Sequence, residues 1–227
     1  MNKKFLIFTY HDEMLHGTKS YKDVAELTMP SKVDYCKAHG YDFYAKDNDF
    51  DFSRRVNWER VPMFINFIKE KKYDWLWFLG TDCMIMNHTI RLENMVDDNY
   101  DMIIASSNHD KIEVNTDSWL VKCSDWSLNF LEKINSNIDL YHHSWCEQQA
   151  VINELNDENV KKHFKIVHTR YFNSYYHAWY PDFNFQFGDF VIQAAGHNND
   201  YRVEIFSEIK DKIIKLPDFK INTILKS

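Results

Sequence analysis

The stretch WLWFLGTDCMIMN, from Trp75 to Asn87, limits the possible folds more than any other part of the chain. Trp75, Leu76, Trp77, Phe78 and Leu79 form an unbroken apolar run, short for a helix and without a polar face. Such a run fits a strand buried on both sides, as found at the centre of a parallel sheet covered by helices. Gly80 and Thr81 end it, and Asp82 then stands ahead of three more apolar residues, Cys83, Met84 and Ile85. An unpaired carboxylate is costly to bury. Asp82 is therefore expected where the strand reaches an edge, and in doubly wound sheets that edge is where ligands bind.

The rest of the chain supplies partners for this strand. Phe5–Tyr10 is a second short apolar run rich in β-formers. Tyr21–His39 has helical spacing; Pro30 predicts a kink or restart near Thr28, and Gly40 predicts the helix end. Tyr41–Ala45 alternates like a strand, and Asn48–Asn57 reads as a charged loop. Trp58–Lys71 reads as an amphipathic helix with Val61, Phe64, Ile65 and Ile68 on one face. Met102–Ser106, Ser118–Val121, Phe164–His168 and Phe190–Ala194 are further strand candidates. Asp125–Ile134, Glu147–Leu155 and Asn199–Lys215 are helix candidates. The alternation predicts an α/β fold: a Rossmann-like, mostly parallel central sheet flanked by helices. With no internal repeat and no linker composition, residues 1–227 read as a single domain.

A chain of 227 residues is long enough for one sizeable core. Its formal charge of −7 leaves no electrostatic footprint for nucleic acid. Cys36, Cys83, Cys123 and Cys146 are widely spaced, which fits free thiols in a reducing compartment. No stretch approaches the length of a transmembrane segment. The chain is therefore expected to be soluble and cytoplasmic. His142, His143, His163 and His168 match no common zinc spacing.

Several residues point towards chemistry, each with a plainer alternative. Asp82, behind a glycine that lets a ligand approach, suits Mg²⁺ or Mn²⁺ bridging to phosphates; it can equally cap a turn or pair with Arg60. Thr9 and Tyr10 end the first strand, where doubly wound folds hold a base and ribose; Tyr10 stacks on a base or shields the sheet end. Arg60 has the fork geometry for a diphosphate, or is merely solvated. Glu147, in a first helical turn, is by itself a commonplace dipole partner. Tyr171–Tyr180, YFNSYYHAWY, is a wall for stacking sugars or a core cluster under a loop. Asn173 and Ser174 within it can hydrogen-bond sugar hydroxyls.

Segments spread along most of the chain carry a family resemblance. KVDYCKAHGYDFY (Lys32–Tyr44) is similar to K-x-x-Y-C-x-x-H-G, and WERVP (Trp58–Pro62) to W-x-K-x-P. The opening stretch is similar to a strand followed by Asp-x-Asp. VNTDSWLVKCSDWSLNFLEKI (Val114–Ile134) is similar to N-T-G-S-F-L-x-R-N-x-x-W, and WCEQQA (Trp145–Ala150) to W-x-E-Q-D-A. YFNSY (Tyr171–Tyr175) and GDFVIQAAG (Gly188–Gly196) are similar to F-N-S-Y and G-D-F-V-x-H-F-A-G. In this order and spacing the chain resembles glycosyltransferase family 34, the retaining α-glycosyltransferases of the yeast Golgi and of plant xyloglucan synthesis, and their virus-encoded soluble relatives.

The resemblance implies a GT-A fold that takes a nucleotide diphosphate sugar, UDP-sugar before GDP-sugar, and moves the sugar to a glycan hydroxyl with retention. It places Gln148 near the reacting sugar carbon, with Glu147 orienting the sugar. It places Thr81, Asp82, Asn115 and Asp117 with Thr9, Tyr10 and Arg60 at the donor, and Asn173, Ser174 and Tyr175 at the sugar or acceptor. It also implies Mn²⁺ or Mg²⁺, held by the Asp-x-Asp pair and a histidine. Here the first aspartate is Gly80, the histidine is Gln193, and the glycine of N-T-G-S is Asp117. Asp82, Gln193 and His197 are the remaining ligand candidates, with Asp117 as a further carboxylate, and metal affinity is expected to be weakened. These departures keep open a catalytically silent relative that binds nucleotide or sugar without turnover. A nucleotidyltransferase would need a basic, glycine-rich loop after the first strand, whereas Tyr10–Gly17 is acidic and glycine-poor.

Overall fold

A computed structural model describes residues 3–109, 112–178 and 180–216. The chain runs β1 (Phe5–Tyr10), α1 (Tyr21–His39), β2 (Asp42–Lys46), α2 (Arg60–Lys69), β3 (Trp75–Leu79), β4 (Cys83–Ile85), β5 (Met102–His109) and β6 (Ile112–Lys122). It continues through α3 (Asp125–Asn135), α4 (Cys146–Glu154), α5 (Glu158–Lys161), β7 (Phe164–Val167), β8 (Ser174–Tyr175), β9 (Val191–Gln193) and α6 (Asn199–Ile209). The main sheet has the order β2-β1-β3-β6-β5-β7, and β6 alone runs against the others. This is the α/β, mostly parallel sheet that the apolar runs predict.

The two apolar runs become neighbouring interior strands, with Phe5 opposite Trp75 and Phe8 opposite Phe78. Successive strand residues point to opposite faces. Leu6, Phe8, Leu76 and Phe78 therefore join one core with Phe64 of α2, Leu131 of α3 and Ala150 of α4. Phe5, Ile7, Trp75 and Trp77 join another with Tyr35 of α1 and Phe190. Both faces are buried, which is why neither run shows an alternating pattern.

Helix α1 starts in a capping box: the Ser20 hydroxyl accepts from the Asp23 N–H, and the Asp23 carboxylate accepts from the Ser20 N–H. It ends at Gly40, whose φ of 73° is left-handed. The expected restart near Thr28 does not occur, and the helix runs through Pro30 unbroken. Both sides of the proline are tied to one loop: the Thr28 hydroxyl donates to the Thr81 carbonyl at 2.8 Å, and Lys32 Nζ donates to the Gly80 carbonyl at 2.7 Å. The helix expected over Trp58–Lys71 begins as a 3₁₀ turn, Val56–Glu59, and is α-helical only from Arg60 to Lys69. The last helix stops at Ile209 and passes into a 3₁₀ turn.

A second, smaller sheet, β4-β9-β8, was not apparent in the sequence. The apolar tail of the opening stretch forms β4 and pairs antiparallel with β9, so the strand expected over Phe190–Ala194 belongs here and not to the main sheet. Met84, Ile192 and Ala194 pack beneath it against Val24 of α1 and Ile205 and Phe206 of α6. The loop 80–82 thus joins the two sheets. Among the described residues, no helix is long and apolar enough to cross a membrane.

Candidate active site

The connections from β1 to α1 to β2 and from β2 to α2 to β3 place α1 and α2 on opposite faces, so β1 lies at a topological switch point. At the carboxyl ends of β1 and β3 lies a cavity of about 110 Å³, walled by Tyr10, Arg60, Asp82, Asp117, Tyr21 and Arg202. A second cavity of about 390 Å³ adjoins it, with Asn115, Glu147, Gln148 and Tyr175 in its lining. The two share Asn57, Arg60 and Asp117.

Arg60 is the pivot between them, and it is 2% exposed. Its Nη1 donates to Asp117 Oδ1 at 2.9 Å and to the Thr116 carbonyl at 2.8 Å, and its Nη2 donates to the Tyr10 hydroxyl at 3.0 Å. Its Nε lies 3.2 Å from Glu147 Oε1, and the guanidinium stacks 4.3 Å over the Phe78 ring. Burial works against its charge, but Glu147, Tyr10 and Asp117 outweigh that and hold it protonated. Removing such a buried cation would leave carboxylates uncompensated, which costs about 3–5 kcal/mol.

Asp82 does meet a partner: Arg202 Nη2 lies 3.2 Å from its Oδ2. Arg202 is positioned by donating from Nε to the Ala194 carbonyl at 3.0 Å and from Nη1 to Asn199 Oδ1 at 2.8 Å and the Tyr21 hydroxyl at 3.1 Å. Burial raises the Asp82 pKa above its ordinary value, and Arg202 opposes the rise. The Gln193 amide faces the other carboxylate, Asp117. Its Nε2 donates to Asp117 Oδ2 at 2.6 Å. Its Oε1 accepts from Asn115 Nδ2 at 3.0 Å and Asn173 Nδ2 at 2.9 Å.

The absence of an aspartate at position 80 has a steric correlate. A Cβ on Gly80 would lie 3.1 Å from Asp82 Oδ1 and 3.3 Å from Asp117 Cβ. Asp117 therefore crowds the space that a larger residue 80 would need, and Gly80 and Asp117 belong together. The Gly80 N–H donates to the Asp117 carbonyl at 2.7 Å, which fixes the two strand ends to each other.

On the second cavity's wall, Cys146 begins α4 with a left-handed φ of 48°, a strained backbone for a non-glycine residue. The next two residues face Thr116. Glu147 Oε1 accepts from the Thr116 hydroxyl at 2.9 Å, and Gln148 Oε1 accepts from the Thr116 N–H at 3.1 Å. Glu147 is buried, and its Oε2 has no hydrogen-bond partner. Burial raises its pKa, with Arg60 opposing.

The residues present do not fit a hard divalent cation. Such ions need several anionic oxygens turned to one point. Asp82 faces Arg202, Asp117 faces Arg60 and an amide NH₂, and the Gln193 oxygen is taken up by two asparagine donors. His197 packs edge-on to Tyr201 and lines neither cavity. Among the described residues, no three histidine, cysteine, aspartate or glutamate side chains are grouped to hold a metal.

Of the sequence candidates, Tyr10, Arg60, Thr81, Asp82 and Asp117 line the first cavity, and Asn115, Glu147, Gln148 and Tyr175 the second. Thr9, Asn173, Ser174 and Gln193 are fully buried and line neither. Asn173 and Gln193 act from behind, whereas Ser174 donates to Asp189 at 2.8 Å. Arg202 and Lys32 were missed. Both left the same trace, a basic residue on an apolar helical stripe: Arg202 with Ile205, Phe206 and Ile209, and Lys32 with Thr28, Tyr35 and Cys36.

An uncharacterized alpha-1,2-galactosyltransferase of Schizosaccharomyces pombe is 25% identical along an alignment 234 positions long, gaps included, that covers 81% of this chain and 60% of that protein. Xyloglucan 6-xylosyltransferase 1 of Arabidopsis thaliana is 24% identical over 112 residues, 46% of this chain and 24% of that protein. The chain thus spans about a quarter of the length of that plant relative. The crystal structure of a glycosyltransferase involved in glycosylation of the major capsid of PBCV-1 superposes with a TM-score of 0.72 at 14% identity, covering 90% of this chain and 99% of that one. The fold is the GT-A glycosyltransferase fold. Residues 33–212 match the family described as "Protein of unknown function, DUF273", and the chain belongs to the DUF273 family.

Proposed function

We propose that this protein is a retaining glycosyltransferase that moves a sugar from a nucleotide diphosphate donor, a UDP-sugar before a GDP-sugar, to a glycan hydroxyl. The observation that carries the reading is the pair of adjoining cavities sharing Arg60 and Asp117 at the carboxyl ends of β1 and β3. The nucleotide diphosphate occupies the first, between Tyr10 and the guanidiniums of Arg60 and Arg202. The sugar enters the second, with its anomeric carbon towards Gln148 and its hydroxyls towards Glu147, Asn115 and Tyr175.

In the reaction the bond between the anomeric carbon and the diphosphate oxygen breaks, and the acceptor oxygen bonds to that carbon from the same face. The acceptor hydroxyl proton passes to the departing phosphate oxygen. Positive charge develops on the sugar ring as the bond breaks, and the Gln148 oxygen, held by the Thr116 N–H at 3.1 Å, offers a preorganised dipole to it. Arg60 and Arg202 stabilise the charge left on the diphosphate. The relatives named glycosyltransferase or galactosyltransferase and the shared fold support this reading.

The test is incubation with UDP- and GDP-sugars and a panel of glycans, scored by nucleotide release and by proton NMR of the product's anomeric coupling. Sustained, acceptor-dependent release with an α-linked product is expected. Nucleotide binding without any turnover across the panel would leave a silent binder in its place.

A further inference from the structure

We propose that the donor diphosphate is held in this site by Arg60 and Arg202, without a divalent metal. The inference rests on the nucleotide-sugar reading above and goes beyond it by assigning what replaces the cation.

The pairing of the carboxylates comes first. Three of the four carboxylates that line the two cavities meet at the centre, Asp82, Asp117 and Glu147. Three buried cations answer them. Arg202 pairs with Asp82, Arg60 pairs with both Asp117 and Glu147, and Lys32 places Nζ on the Gly80 carbonyl at 2.7 Å beneath the same loop. The fourth carboxylate, Asp12, turns its Oδ1 to the Met14 N–H at 3.0 Å. The carboxylates therefore do not turn several free anionic oxygens to one point, as a hard cation requires.

The orientation of Gln193 is the second. Turning the amide over would set its NH₂ against two asparagine NH₂ donors and its oxygen against the Asp117 carboxylate. The network therefore permits one orientation, in which the NH₂ faces Asp117 and the oxygen that a cation would need is held by Asn115 and Asn173.

The availability of the guanidiniums is the third. Both line the first cavity although each is nearly buried, at 2% for Arg60 and 5% for Arg202. Hydrogen bonds from a desolvated guanidinium to phosphate are among the stronger polar contacts, and their fork suits two oxygens at once.

Calorimetry of UDP and GDP, in excess EDTA and again with millimolar Mn²⁺, tests the inference. Equal affinity within about twofold in the two buffers is expected. Binding seen only with Mn²⁺, or tightened by more than about tenfold, overturns it while leaving the donor site in place. Binding in neither buffer overturns the nucleotide-sugar reading and the inference with it. Mn²⁺ titrated into the nucleotide-free protein should keep its free-ion paramagnetic signal, and loss of that signal at micromolar Mn²⁺ counts against the inference. Gln193→Glu keeps the side-chain shape but replaces the NH₂ that faces Asp117 with an anionic oxygen. It should gain Mn²⁺ binding and lose about tenfold or more of its metal-free UDP affinity. Arg202→Gln should weaken UDP by about tenfold or more and leave uridine unchanged, because the loss is confined to the phosphates. Equal loss for UDP and uridine would mean that Arg202 only holds the fold.

Discussion

The two sheets are held together by different physics. In the main sheet, β1 and β3 are apolar on both faces, and Phe8, Trp77 and Leu79 are completely or almost completely buried among other hydrocarbon groups. The small sheet also has an apolar underside, but its upper edge buries Asn173, Ser174 and Gln193 with hardly any exposure. Those groups are bonded onward: Asn173 to Gln193, Gln193 to Asp117, and Ser174 to Asp189, which Arg170 also grips with two hydrogen bonds of 2.8 and 2.9 Å. Apolar packing tolerates many arrangements of similar volume. A satisfied polar network tolerates few, because each lost partner leaves a buried group bare. The main sheet therefore carries the stability, and the small sheet carries the precision of the site beside it.

Trp77→Ala is the strongest way to break this contrast. It empties a fully buried position that stacks on Phe190 at 5.3 Å, and a loss of about 3–5 kcal/mol by urea denaturation is expected. The nucleotide affinity of the folded fraction should stay at the wild-type value. Gln193→Leu should cost less stability, about 1–3 kcal/mol, because it strands the Asn115 and Asn173 donors. It should nonetheless weaken nucleotide binding more than Trp77→Ala does, and the reverse ranking would refute the division of labour.

A pH titration sharpens the contrast further. Burial raises the Glu147 pKa above its ordinary 4.5, so the folded state holds that proton more tightly than the unfolded chain. Its contribution is complete below pH 4.5 and is lost as pH rises through the folded value. The stability of wild type relative to Glu147→Gln should therefore fall as pH increases from 4.5 towards neutrality. His88, which burial lowers to about 4, acts in the opposite sense between there and 6.5, and the subtraction removes it. A difference that rises with pH would contradict the assignment. The smallest effect belongs to the outer surface. Lys69→Ala, which removes the exposed bridge to Glu132, should change stability by no more than about 0.5 kcal/mol.

The same contrast explains how much could be read from the sequence. β1, α1, β2 and β3 were legible because strand and helix periodicities and the Gly40 stop write themselves into local composition. The small sheet was not, because three-residue strands such as Cys83–Ile85 have no period long enough to detect. The helix does not restart at Pro30, and propensity carries no information on the two contacts that hold α1 on either side of it. At the site, Asp82, Arg60 and Gln148 were found through residue type at a strand end or through resemblance, and the structure brings them to adjoining cavities. Arg202 and Lys32 went unnoticed because their partners are distant in sequence, Asp82 lying far ahead of Arg202 and Gly80 far beyond Lys32. The puzzle of a carboxylate inside an apolar run resolves the same way, since its partner sits on the last helix.

The most direct test of the account is a crystal structure of the protein grown with millimolar UDP. The account predicts UDP in the first cavity, its base at the end of β1 beside Tyr10 and its diphosphate against Arg60 and Arg202, with the terminal phosphate pointing to Gln148. UDP bound elsewhere, or no nucleotide at a fully accessible cavity, would contradict it.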